Sequence, residues 1–256
     1  MSLDAPMKAS ASRRRPGTIA ACLLALVAWA AGPAEAGAQV IRSGPAACKA
    51  VAFTFDMCPV RSGSGYDEAL VRMLVEKRIP ATFFLSGRWV ETHADQVKAL
   101  LAVPFFEIGT HGQTHAHLPL LEPAAQREEI RQAVELLRAR YGLEAPLFRP
   151  PYGEYDDRTV ELVRELGLTF VLWDRVSGDP DPRLSREQMV ERLTSRAKNG
   201  NIIVFHANGK GRHTQAVVEA AYQELAVKRG LQPVTVGHLL GQCRMDGSNG
   251  QNSAGF

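Results

Sequence analysis

The sequence predicts an α/β fold in a single domain, with a parallel sheet curled into a barrel or partial barrel. Two observations predict it. Short runs rich in Val, Ile, Phe and Thr alternate with longer amphipathic runs, the order in which crossover helices join parallel strands. These units follow one another through most of the chain without an internal repeat or a long linker. An open, doubly wound sheet is the competing arrangement of the same units. A length of 256 residues is enough for one large domain with a substantial core.

The strand-like runs are Ala50–Phe55, Ala81–Leu85, Phe105–Ile108, Pro146–Phe148, Thr169–Trp173, Ile202–Phe205 and Pro233–Val236. Helical spacing fills the intervals. Leu70, Met73 and Leu74 mark the first helix. Ile130, Val134, Leu137 and Tyr141 mark another, closed by Gly142, and Leu162, Val163 and Leu166 a third, closed by Gly167. Ser185 and Gln188 form a capping box ahead of Met189, Val190 and Leu193. Val217, Val218, Ala221 and Leu225 mark the last helix, closed by Gly230.

The two ends of the chain read differently. Residues 1–38 look like a signal peptide: Arg13-Arg14-Arg15 precede an apolar run from Thr18 to Gly32, and Ala34-Glu35-Ala36 and Ala36-Gly37-Ala38 offer small-residue cleavage sites. The run is short for a membrane span, which makes an uncleaved anchor the weaker reading. Cleavage implies an exported protein, periplasmic or extracellular, with no integral membrane span. Residues 247–256 are rich in Gly, Ser and Asn and are predicted to be disordered. The formal net charge is +3, much of it in the first residues, and no basic block argues for nucleic acid. Export permits disulfides. Cys48, Cys58 and Cys243 remain after the signal, an odd number with no zinc-ribbon spacing.

One pattern goes beyond a generic α/β domain. Strand after strand ends in a residue capable of chemistry: Asp56, His111 with His115, Arg149, Asp174 with Asp179 close behind, and His206. In parallel α/β folds the carboxyl ends of the strands face one common site. His111 and His115 follow a strand in a Gly-containing loop, and His-x-x-x-His spacing can place two imidazoles on one ion. Loop histidines are more often surface residues, and His117 beside them fits that description. Asp56 can act as a general base or simply cap the next loop. His206 can be a general acid or a satisfied core residue. Arg149 opens Arg149-Pro150-Pro151-Tyr152-Gly153, a stiffened loop that can present a backbone N–H to an oxyanion.

These residues resemble the motifs of the polysaccharide deacetylases with a NodB homology domain, family 4 of the carbohydrate esterases, over residues 47–240. Thr54-Phe55-Asp56 resembles the first motif, Thr-Phe-Asp-Asp. His111 to His115 resembles the second, with Gly112 in place of the usual hydroxyl residue. Arg149 to Gly153 is similar to the third. Trp173 to Asp179 resembles the fourth, with Pro180 where Trp is usual. Val204-Phe205-His206 resembles the fifth. The resemblance implies a distorted (β/α)7 TIM-like barrel. It also implies a divalent metal, Zn²⁺ or a similar ion, held by His111 and His115. Asp56 becomes the catalytic base, held by Arg149. His206 protonates the leaving amine and is tuned by Asp179, while the Tyr152 backbone N–H stabilises the oxyanion.

One departure bears on the metal. The family's second Asp of the first motif is its third ligand, and Met57 stands there. A thioether is a poor zinc ligand beside two histidines. Asp67, beyond the Ser62–Gly65 loop, is the expected replacement because it restores a carboxylate; Cys58 and water are the alternatives. The expected activity is removal of acetyl groups from N-acetylated sugar polymers such as peptidoglycan or chitin-like glycans. An O-acetyl esterase on xylan or exopolysaccharide, and a metal-poor glycan binder, are the alternatives.

Overall fold

The computed structural model describes residues 39–241; the expected signal and tail lie outside the described residues. The elements run β1 (Ala50–Met57), α1 (Glu68–Glu76), β2 (Ala81–Leu85), α2 (Gly87–Thr92), α3 (Ala94–Leu101), β3 (Phe106–Thr110), α4 (Pro123–Tyr141), β4 (Leu147–Phe148), α5 (Asp157–Glu165), β5 (Thr169–Phe170), β6 (Arg175–Val176), α6 (Arg186–Thr194), β7 (Asn201–His206), α7 (Thr214–Tyr222) and β8 (Gln232–Val234). The strands form one curled sheet in the order β5-β4-β3-β2-β1-β7-β6, and every pairing is parallel. β8 pairs with the first residues of β1. The arrangement is the partial barrel, not the open doubly wound sheet. Each of the seven expected strands is present, and β6 is added.

Alternation along the strands sorts the side chains into two layers. On β1, Val51, Phe53, Phe55 and Met57 face outward into the core between sheet and helices, with Phe83 and Phe205 of the neighbouring strands, Leu70 and Leu74 of α1, and Val217 and Val218 of α7. Phe55 stacks on Phe83 and on Phe205, with ring centroids 5.2 and 5.6 Å apart. The inward residues begin apolar: Ala50, Ala52, Phe84, Leu147, Val171 and Ile202 pack inside the curl with Val234, Val236 and Leu239. Further along each strand the inward positions turn polar. The same pleat that buries Phe55 outward therefore directs Asp56 inward.

Local signals end the helices where the sequence expects them. Gly142 closes α4 at φ 64°, and the Ser185–Gln188 capping box opens α6. A second capping box, Asp156 with Thr159, opens α5. Among the described residues no helix is long and apolar enough to cross a membrane. Cys48 is disulfide-bonded and Cys58 is a free, buried thiol, so these two do not pair with each other.

Candidate active site

The site lies at the carboxyl ends of the strands and grows from the register of β1 on β7. Asp56 and His206 are direct neighbours in that register, so both side chains leave the sheet on its inner face. They line a cavity of about 200 Å³ together with Cys58, His111, His115, Tyr152, Trp173, Asp179 and Lys210.

Arg149 holds Asp56. Its guanidinium, fully buried, donates from Nη1 to Asp56 Oδ1 at 2.8 Å and to Thr54 Oγ1 at 2.9 Å, and from Nη2 to the Leu172 carbonyl at 3.1 Å. It lies over the rings of Phe84 and Trp173, 4.0 and 5.3 Å from their centroids. Burial alone would push the Asp56 carboxyl up. The Arg149 charge and hydrogen bond, with His111 and His206, outweigh burial and hold it below the usual carboxylate range.

His111 and His115 approach from the loop after β3, their ring centroids 5.0 Å apart. His111 Nδ1 lies 2.8 Å from the Arg149 carbonyl. A carbonyl only accepts, so Nδ1 carries the proton and Nε2 keeps a free lone pair, 3.8 Å from Asp56 Oδ2. Burial drives the His111 pKa down, and burial with the His111 and Lys210 charges lowers His115 to about 3. Both rings are thus neutral, the state a metal ion requires of imidazole. Within reach of the pair lies Cys58, and the donor atoms of all three residues are within 4.8 Å of one another. This donor set fits a zinc-type ion, for which two imidazoles and one anionic ligand are an ordinary complement.

His206 faces this group with its own anchor. Its Nδ1 lies 3.0 Å from Asp179 Oδ1, and its backbone N–H donates to Asp179 Oδ2 at 2.8 Å. The carboxylate also accepts from the hydroxyls of Ser177 and Thr214. Burial would lower the His206 pKa; the hydrogen bond and charge of Asp179 reverse that and raise it. Tyr152 stands at the mouth of the cavity, half exposed, at φ 61°. Its ring stacks flat on His117, whose Nδ1 is 2.7 Å from Glu154 Oε2.

Residues 43–171 match the family described as polysaccharide deacetylase. The chain belongs to the polysaccharide deacetylase family. A peptidoglycan-N-acetylglucosamine deacetylase of Bacillus cereus is 30% identical over 197 residues, covering 75% of this chain and 88% of that protein. Three further curated relatives are matched over 52%, 56% and 52% of their own lengths. Among solved structures, a family 4 carbohydrate esterase from Streptomyces lividans in complex with acetate is 29% identical with a TM-score of 0.62, covering 72% of this chain and 90% of that one. A family 4 pseudoenzyme from Bacillus anthracis shares the fold at a TM-score of 0.72, with 22% identity over 80% of this chain and 70% of its own.

Within this family frame the structure brings together Asp56, Arg149, His111, His115, Tyr152, Asp179 and His206. It does not bring Asp67. The Asp67 carboxylate caps α1, accepting from the Leu70 amide at 3.0 Å, and its amide is bound to the Ala207 carbonyl. The reason is local: Asp67 immediately precedes an amphipathic helix, where a carboxylate satisfies an orphan N–H. Asp174, also at a strand end, serves the sheet edge by binding the Asn201 side chain and the Ile202 amide. Three further residues belong to this geometry, and of these the sequence names only Cys58, as an alternative third ligand. Cys58 is the residue immediately beyond β1 and lines the cavity, which Asp67 does not. Lys210 follows β7 by four residues with no pattern around it. Glu129, buried on α4, accepts from the amides of Thr114 and Ala116 and from the Thr114 hydroxyl, and so holds the histidine loop.

Proposed function

We propose that this protein is a metal-dependent hydrolase that removes acetyl groups from N-acetylated glycans of the peptidoglycan or chitin type. One observation carries the reading. Asp56 and His206, adjacent across the β1–β7 register, are tuned in opposite directions, the first toward its ionised form and the second toward its protonated form. A base that is ready and an acid that is ready, facing one small cavity, are what hydrolysis of an amide needs, because the amine must be protonated as it leaves.

The residues divide the work as follows. Asp56 takes the proton of the attacking water, and Arg149 keeps it ionised and aimed. His206 binds Asp179 through Nδ1, which leaves Nε2 to deliver a proton to the departing nitrogen. The Tyr152 amide, in the single turn after the two prolines, donates to the oxygen that becomes negative. His111 and His115 would hold the divalent ion, Zn²⁺ or similar, which when bound polarises the water and the acetyl carbonyl. The sequence resemblance and the Bacillus cereus relative support the substrate class. The disulfide at Cys48 and the signal-like residues 1–38 support export to the periplasm or beyond.

Acetate release from chitooligosaccharide, peptidoglycan and acetylated xylan, each with and without a chelator, tests the proposal. Chelator-sensitive release from an N-acetylated glycan is expected. Release from xylan alone would make the protein an O-acetyl esterase. Glycan binding with no release from any substrate would make it a binder, the outcome to which Met57 in place of a ligand points.

A further inference from the structure

We infer that the metal centre is closed by the Cys58 thiolate, giving a Cys-His-His donor set in place of the Asp-His-His set of the family pattern. The inference rests on the metal-dependent reading above and goes beyond it by naming the third ligand.

Three observations carry it. First, β1 remains a regular strand through Met57, so its side chains keep alternating. Met57 falls on the outer face, fully buried in the apolar core with Phe53 and Phe55, and cannot reach the site. Cys58, the first residue beyond the strand, lines the inner cavity together with Asp56. Second, the Cys58 backbone is fixed on both sides. Its carbonyl accepts from the buried Asn208 side chain at 3.0 Å, and the carbonyl of Met57 before it accepts from the Ser86 amide and hydroxyl. Third, Sγ converges with one ring nitrogen of each histidine within 4.8 Å, and the thiol is free of any disulfide.

The chemistry agrees with the placement. A thiolate carries the same single negative charge as the carboxylate it would replace, so the net charge around the ion is conserved. On binding, the S–H proton leaves to solvent and the sulfur lone pair forms the bond to the metal; nothing is oxidised or reduced. Sulfur is the softer donor, and the set Cys-His-His selects zinc or cobalt over magnesium or manganese.

Cobalt-substituted protein gives a readout independent of turnover. The full-length protein, stripped of metal and titrated with Co²⁺, should show the intense near-ultraviolet sulfur-to-cobalt charge-transfer absorption of a thiolate ligand. Cys58→Ser should lose that band. Cys58→Ala should bind Zn²⁺ at least about 100-fold more weakly, the upper figure for groups that only support a ligand. Cys58→Asp should restore binding without the band. A cobalt-loaded wild-type protein lacking the band, or a Cys58→Ala variant with unchanged zinc affinity while His111→Ala loses it, overturns the thiolate and leaves the deacetylase reading intact. Failure of the wild-type protein to bind either metal overturns both. The wild-type spectrum needs no variant to fold.

Discussion

Asp56 sits in a fully buried ion pair with Arg149, and that burial separates two predictions usually merged. Asp56→Asn keeps the shape and should lower kcat by about 10²–10⁴-fold, the contribution of a positioned base, while bound metal is unchanged. Loss of metal instead would show that Asp56 serves as a ligand. Arg149→Ala should be worse for the fold than for the chemistry. It strands a buried carboxylate, at a cost of about 3–5 kcal/mol in urea unfolding. His206 supplies the pH dependence. Its folded pKa is raised, so the pairing with Asp179 stabilises fully below the ordinary histidine value and is lost as pH rises through the raised one. Turnover should fall over the same interval, and Asp179→Asn should shift that alkaline limb to lower pH. An alkaline limb that stays put in Asp179→Asn would take His206 out of the proton-donor role. The residues themselves were readable from sequence because each stands directly after an apolar run. The third ligand is less legible: Met57 stands at the family's carboxylate position, Asp67 caps α1, and Cys58 lines the cavity.

At the scale of elements, α4 does more than cover the sheet. Glu129 reaches from it to gather three donors of the histidine loop, while the Glu129 carbonyl accepts from the Gln113 amide. Glu129→Ala should therefore weaken zinc binding by about 10–100-fold with little change in helix content, measured by competition with a chelating dye. Equal affinity in the variant would assign Glu129 to packing alone. Gly153 has a comparable role in the turn after β4. It adopts φ 70°, and a Cβ there would come within 2.7 Å of the Trp173 ring. Glu129 carried no readable signal, since a charged residue in an amphipathic helix normally faces water. α2 and α3 were equally silent. α2 is six residues long and begins at Gly87, and neither helix has a side-chain cap. β6, with two residues, is too short for any periodicity to register.

For the whole molecule, the seven expected strands and the curl of the sheet could be read because the outward core is built from long apolar runs such as Val51–Phe55 and Ile202–Phe205, whose burial does not depend on the site. This has a measurable corollary. Removing metal should abolish acetate release yet leave the circular dichroism of the fold in place. Stability should rise with zinc only by the binding term, about 2.7 kcal/mol at a free concentration of 100 Kd. Collapse of the fold on chelation would contradict that independence.

The burial of Met57 also limits how this protein can be changed. Restoring the family's Asp at that position looks like a repair, but Met57→Asp would drive a carboxylate into the outer core beside Phe53 and Phe55, where nothing can pair with it. The cost should be on the order of 3–5 kcal/mol, as for other buried charges stripped of a partner, with no gain in metal affinity. Changes aimed at the cavity therefore belong at residue 58, which lines it, while residue 57 answers to packing.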